Sequence, residues 1–412
     1  MRWLGVALVV GSLALAAAAH ALEIGPGSDW CRALRELAPG EELVLRPGEY
    51  VGRCSVRRGG TAARPLVIRA QDPATPPRLT YPERDGNLID VHASHVVLRH
   101  LHLGPTRPSV DAVRIHLASD VRIEYCQFTG IGGIAVVANS GSVREITVRG
   151  NVIRQSGATA LYFGCHDGSC AVSQVLVEDN RIERVDAAPG EVGYGVQVKL
   201  NSAAVIRRNT VVDPKGPGIM VYGDRDLLRV TLVERNVVVG SRRSSGIVVG
   251  GGPAVVRNNL VVRNAEAGIA LQDYGGRGLL RSVVVAHNTV FDNGRGGVVA
   301  PAAGALDAVI VNNAVHARAG TPPLPAPRAG FVLSGNIDCS LAPCFTDPLL
   351  VDLTPAPLST LVAMGSPRTG PWLPDEDYFG RRRSSLPTVG AIEAGAPPFP
   401  LLLRVSDAEG SR

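Results

Sequence analysis

The chain has 412 residues, of which 45% are hydrophobic but only 4% aromatic, with 47 Gly and 30 Pro. A charged fraction of 19% and a mean hydropathy of +0.13 exclude a disordered or acidic-tail protein. The net charge of +5 is dispersed and forms no basic stripe, so no nucleic-acid partner is expected.

In chain order, Arg2 precedes an apolar run over residues 4–15 and then Ala19-His20-Ala21, a small-x-small pattern. Residues 1–21 therefore read as a secretory signal, with the mature chain beginning near Leu22 and residing in the periplasm or outside the cell. No later apolar run approaches the roughly 18 residues of a membrane span, so no membrane partner is expected. Seven cysteines suit an oxidising compartment. The spacing pairs Cys31 with Cys54, Cys165 with Cys170 and Cys339 with Cys344, and leaves Cys126 as a buried thiol.

Residues 22–60 are expected to form an N-terminal cap and first coil. Ser28-Asp29 can cap a short helix whose Trp30, Ala33, Leu34 and Leu37 share one face. Residues 61–319 carry an internal repeat, apolar-x-x-Asn-apolar-apolar, at Asn151, Asn180, Asn209, Asn236, Asn259, Asn288 and Asn313. Successive asparagines are 29, 29, 27, 23, 29 and 25 residues apart, and Cys126 and Leu101 fill the same slot in two earlier turns. Each repeat also holds a small residue followed by alternating β-branched residues, as in Gly195-Val196-Gln197-Val198 and Gly218-Ile219-Met220-Val221. Two or three short strands per repeat without helical periodicity predict an all-β chain, a parallel β-helix of nine or more coils with an inward Asn ladder. Residues 320–412 turn Pro-rich, lose the repeat and are expected to fold back as an irregular C-terminal cap and tail.

The run Leu43-Val44-Leu45-Arg46-Pro47-Gly48-Glu49-Tyr50, with Pro65-Leu66-Val67-Ile68-Arg69-Ala70, resembles the opening coil of secreted right-handed parallel β-helix proteins of the pectate-lyase superfamily, particularly the chondroitinase-B and alginate-lyase type. Asp347-Pro348-Leu349, Gly365-Ser366-Pro367 and the ending through Val389-Gly390-Ala391-Ile392-Glu393 are similar to its closing segment. The resemblance implies an acidic polysaccharide as partner.

Outward strand positions give two predicted columns, Arg114, Ala135, Tyr162, Gln197, Met220, Val248, Ala270 and His116, Val137, Gly164, Lys199, Tyr222, Gly250, Gln272. Beyond the strand ends lie Asn139, His166-Asp167, Asn201, Asp224-Arg225 and Asp273-Tyr274. Two insertions, residues 165–170 and 186–194, border the same face, which is taken as the site. Lys199 is one of only two lysines, with Lys215, among 42 basic residues. Lysine can surrender its proton where arginine cannot. Cleaving a uronate by β-elimination needs a base for the C5 proton, a partner for the carboxylate and an acid for the leaving oxygen. Lys199 or Tyr222 can be base or acid, with Arg225, Asn201 or Gln272 on the carboxylate and Tyr162, Gln197 and Asp167 lining the site. The alternative is a solvated lysine lying over a tyrosine ring.

The segment Val196-Gln197-Val198-Lys199-Leu200-Asn201-Ser202 resembles the strand carrying the base lysine of chondroitinase-B type lyases, and one coil later Val221 stands where their acid arginine is expected. Their Ca²⁺ site would need an acidic cluster, for which Glu191 and Asp224 are the candidates; no cofactor is expected. His166-Asp167 is similar to the end of the Asp-Pro-His-Asp motif of mannuronan C5-epimerases, which makes His166 a further catalytic candidate. An inverting hydrolase would use Asp224 and Asp273, two coils or roughly 9.6 Å apart. A non-catalytic module that binds a glycan or a cell surface is the remaining class, and on each reading the chain is expected to be a monomer. His92, His95, His100 and His102 lack acidic company in the sequence and are read as turn and surface residues.

Overall fold

The computed structural model describes residues 20–401, apart from 303, 342, 368, 369 and 371. The expected signal segment therefore lies, but for its last two residues, outside the described residues. No described helix is long and apolar enough to cross a membrane.

The chain winds into three parallel sheets of 13, 12 and 10 strands, here the first, second and third sheets. They open with Ala21–Ile24, Glu49–Val51 and Cys54–Val56 and close with Phe331–Ser334, Ile337–Asp338 and Val298–Val299. One coil gives one short strand to each, for example Ala204–Arg207, Thr210–Val212 and Ile219–Val221. The inward residues of that coil, Ile206, Val211, Ile219 and Val221, are fully buried. β-Branched alternation thus builds a continuous core of aliphatic side chains, which explains a fold so poor in aromatics.

The turn between the first and second sheets is the same in coil after coil. The residue before each ladder asparagine is left-handed, as in Asp179 (φ 56°), Arg208 (54°) and Arg235 (54°). The asparagine then satisfies the groups this bend exposes. Asn209 Oδ1 accepts from the backbone N–H of Asn180 (3.0 Å) and from its Nδ2 (2.9 Å), while Asn209 Nδ2 donates to Val177 O (2.9 Å) and to Asn236 Oδ1 (3.0 Å). The ladder runs from Asn151 to Asn313 as expected and continues to Asn336. At its start Cys126 receives Asn151 Oδ1 on its backbone N–H, and burial pushes its thiol up to about 12. A second, shorter ladder joins Ser241, Asn264 and Asn293.

Asp29 caps the helix α1 (Trp30–Glu36), accepting from Arg32 N (2.9 Å), and Trp30, Ala33, Leu34 and Leu37 are buried over the open end. All three expected disulfides are present, and Cys126 is free and buried.

Two expectations need correction. Residues 331–338 are still solenoid; the Pro-rich stretch before them interrupts the repeat without ending it. The segment after them folds back along the flank, where Phe345, Val351 and Val389 cover outward apolar residues of the second sheet such as Val237, Leu260 and Val262. Arg383 fastens it there, donating to Asn258 Oδ1 (2.8 Å) and Glu393 (3.0 Å). The second correction is one of register. Arg114 pairs with Val137, and Val137 with Tyr162, so Val137 belongs to the first outward column and Asn139 follows in the second. The strand there is Val136–Ala138. Gly133 and Ala135 are both small, and Gly133 is small for another reason, because a Cβ there would lie 2.5 Å from Asp111 Oδ1.

Asn209→Ala removes partners from at least two buried backbone groups, each worth about 1–3 kcal/mol. Chemical unfolding is expected to show a loss of at least about 2 kcal/mol, against no more than about 0.5 kcal/mol for the exposed control Arg243→Ala.

Candidate functional site

On the outer face of the third sheet, Tyr162 pairs with Gln197 and Gln197 with Met220. Lys199 and Tyr222 follow one position beyond the strands, in adjacent coils, as the backbone bonds Lys199 N to Phe163 O (2.8 Å) and Tyr222 N to Val198 O (3.0 Å) record. The Lys199 Nζ lies 4.1 Å from the centre of the Tyr222 ring and 5.9 Å from that of Tyr162. Lys199 is only 3% exposed, and among the described residues its ammonium has no carboxylate partner and no hydrogen bond.

Glycines frame this pair in the column. A Cβ at Gly164 (φ 103°) would meet Ser202 Oγ at 2.4 Å and Lys199 Cβ at 2.9 Å, and one at Gly250 would meet Tyr274 Cβ at 2.9 Å. Larger residues at these positions would push the lysine and the tyrosines out of place. Tyr222 is edge-on to Tyr274, with ring centres 4.7 Å apart, and its hydroxyl lies 3.2 Å from that of Tyr194. Gln197 Nε2 donates to the Tyr222 oxygen (3.2 Å). Since that oxygen already accepts, its own proton is available to Tyr194 or to a ligand.

Burial first, then the Arg277 guanidinium, holds the Lys199 ammonium below its ordinary 10.5. The face of Tyr222 offers an opposing cation–π attraction, worth about 0.5–2 kcal/mol. Burial moves the tyrosines the other way: Tyr162 is pushed up to about 12, and Tyr194 and Tyr222 are also raised. A base eased toward its neutral form thus sits among phenols that keep their protons.

The remaining expected residues separate. Asp224 is fully buried; its Oδ2 accepts from the backbone N–H of Leu228 and Arg229, and its Oδ1 pairs with the Arg229 side chain (2.7 Å). Asp273 accepts from the N–H of Gly278 (2.8 Å) and Leu279 (3.3 Å). Both carboxylates fix their own loops, so the paired-carboxylate expectation is withdrawn. Exposed Glu191 and committed Asp224 likewise do not make a calcium site. Asn201 donates to Gly168 O (2.8 Å) and accepts from Arg225 N (3.2 Å), tying two loops together where a carboxylate partner had been expected. His166 and Asp167 sit exposed on the disulfide turn, where Asp167 accepts from Ser169 N (2.9 Å). Arg225 is exposed, and the charge that acts on Lys199 comes from Arg277. Gln272 is half-buried, beyond Gly250 in the same column. Val221, fully buried among core residues, could not carry an arginine there.

Sequence reasoning missed Arg277, and it put Tyr194 and Tyr274 at the border of this face without giving either a role. Tyr194 closes the 186–194 insertion, and the second lysine explains its placement: Lys215 Nζ donates to Ala187 O, Ala188 O and Glu191 O at 3.2, 3.0 and 2.7 Å. Of the four early histidines, His95 does have acidic company, paired to Asp120 at 2.8 Å, and His116, one coil beyond His92, pairs with Asp90 at 2.8 Å.

A family model described as "Right handed beta helix region" matches residues 167–336. The chain is a right-handed β-helix. Its fold is that of the Azotobacter vinelandii mannuronan C-5 epimerase AlgE4 A-module, at 14% identity and TM-score 0.59 over 74% of this chain and 88% of that one. The pectate lyase Pel9A matches at 13% identity and TM-score 0.56 over 91% and 96%. The α-1,3-glucanase of Streptomyces thermodiastaticus matches at 15% identity and TM-score 0.50 over 79% and 71%. No curated protein matches the chain by sequence. Fold likeness at this identity spans an epimerase, a lyase and a hydrolase, so it leaves the reaction to the site.

A buried lysine without a counter-ion costs stability. Lys199→Met is expected to raise the unfolding free energy at neutral pH. Because the folded-state pKa is depressed, the wild type gains stability as pH rises from that value toward 10.5, where the unfolded chain still binds the proton. The advantage of Lys199→Met should therefore shrink across that window in parallel denaturation curves.

Proposed function

We propose that the protein cleaves a uronate-containing acidic polysaccharide by β-elimination on the outer face of the third sheet. The observation that carries this reading is Lys199: a lysine buried without a carboxylate, beside a hydrogen-bonded phenol, in a chain that otherwise writes arginine. In this reading the neutral Lys199 amine takes the C5 proton of the uronate. The C–H electron pair becomes the C4–C5 double bond, and the C4–O bond breaks. The leaving oxygen takes the Tyr222 proton, which Gln197 turns outward by donating to the phenol oxygen. Arg277, exposed over the Tyr274 ring at 5.1 Å, pairs with the substrate carboxylate as charge builds on it. These assignments divide the roles that the sequence leaves open, since burial favours the neutral, proton-accepting form of Lys199 and keeps Tyr222 in its protonated form.

Three disulfides are compatible with secretion, and we place the substrate in the periplasm or outside the cell. The structures it resembles include enzymes named for mannuronan and pectate, which supports a polymer of this class.

Ultraviolet absorbance of the unsaturated product, followed across a panel of uronate polymers, tests the reaction. Exchange of the C5 proton with solvent without new absorbance would instead mean epimerisation, and binding without either would mean a non-catalytic module. Lys199→Arg keeps the charge and reach but forbids deprotonation, so it is expected to lower turnover about 10²–10⁴-fold while polymer binding stays within a few-fold. Tyr222→Phe should lower kcat with little change in KM. Near wild-type turnover by Lys199→Arg would remove Lys199 from the base role.

A further inference from the structure

Lower on the same sheet, Asp90, His92 and His116 bring three ligand atoms within 4.8 Å of one another. The coil stacking builds this cluster. Asp90 lies in the first outward column, opposite Arg114, and His92 and His116 follow one another in the second. Their rings are parallel, with centres 4.1 Å apart and 9° between planes. Identical side chains in adjacent coils thus present their nitrogen edges side by side, next to a carboxylate.

We propose that Asp90, His92 and His116 form a binding site for a divalent transition-metal ion of the zinc type. Two imidazole nitrogens and one carboxylate oxygen are the donors such ions prefer over calcium or magnesium. The donors also have free capacity. Asp90 Oδ1 accepts from His116 Nε2 (2.8 Å) and from Asn87 Nδ2 (2.8 Å), whereas Oδ2 has no partner among the described residues. Neither ring nitrogen of His92 is hydrogen-bonded among them, nor is Nδ1 of His116. Arg114, opposite Asp90, is turned away onto Asp111 (2.6 Å) and Asn139 (2.7 Å), whereas Arg57, next to His92 in the coil below, sets a positive charge near that ring. Asn87 supplies the outer hydrogen bond that orients a ligating carboxylate. Ligands on a tetrahedral zinc lie roughly 3.3–3.5 Å apart, given bonds of about 2.0–2.2 Å, so small side-chain rotations suffice.

Three protein ligands leave at least one position open to water or to an incoming carboxylate. The cluster and Lys199 share one column, with Asn139 and Gly164 between His116 and Lys199. At about 4.8 Å per coil, the ion would sit roughly 14 Å from the lysine on the same face. The metal site stands on its own geometry and does not depend on the elimination reading.

The test is calorimetric titration of zinc into the untagged, chelator-stripped full chain. One ion per chain is expected, with affinity at least tenfold weaker in His116→Ala and in Asp90→Asn, since loss of even an outer-sphere partner costs about 10–100-fold. Histidine NMR of the wild type gives a second readout that needs no variant to fold: zinc should shift the ring signals of His92 and His116 and leave those of His287 and His316 in place. Absence of stoichiometric binding, unchanged affinity in both variants, or histidine shifts confined to other residues would each overturn the site.

Discussion

Coil-on-coil backbone pairing in fixed register is the constraint on which everything else in this molecule depends. Parallel strands stacked about 4.8 Å apart force the side chain at each position against its counterpart in the next coil. Where the counterparts are asparagines, a buried ladder forms and holds the same left-handed bend from Gly150 to Gly335. Where they are charged, signs alternate along most of the column, the Arg69–Arg99 pair at its start excepted. The outer face of the first sheet runs Arg99, Glu124, Arg149, Glu178, Arg207, Glu234, Arg257, each paired in register with the next. Glu178 alone takes Arg149, Arg207 and Arg208. Lys199 has no such partner. Its neighbours in the column are Gly164 and Tyr222, with no acid, so the solenoid has spent part of its stability on an uncompensated amine.

The same repetition explains what the sequence makes legible. A spacing of 23 residues between Lys199 and Tyr222 is one coil, so their contact follows from the repeat alone. The disulfides are legible for a similar reason, because Cys165–Cys170 and Cys339–Cys344 each span a single turn. Ladder asparagines announce themselves wherever the flanking residues are apolar, and Asn336 escapes notice because a Pro-rich stretch separates it from Asn313.

What the sequence hides lies in the loops, where register no longer governs position. Asp224 and Asp273 look like available carboxylates in the sequence, yet each folds back onto backbone N–H groups four to six residues ahead. Arg277, not Arg225, is the cation whose charge acts on Lys199, from a loop that lays its guanidinium over the Tyr274 ring. Tyr194 closes an insertion whose carbonyls Lys215 gathers, a role no local pattern discloses, while its own carbonyl accepts from Ala160 N in the coil below. The cluster of Asp90, His92 and His116 is hidden differently, since its two histidines are 24 residues apart and meet only once the coil length is known.

With only two lysines in the chain, the protonation of Lys199 is directly measurable. In a protein labelled at lysine Cε, carbon NMR shows one signal for Lys199 and one for Lys215, assigned by Lys215→Arg. A pH titration should find the Lys199 signal changing at a midpoint below 10.5, in the absence of any substrate. A Lys199 midpoint at or above that value would contradict the account, because a fully charged lysine cannot be the base this site is built around.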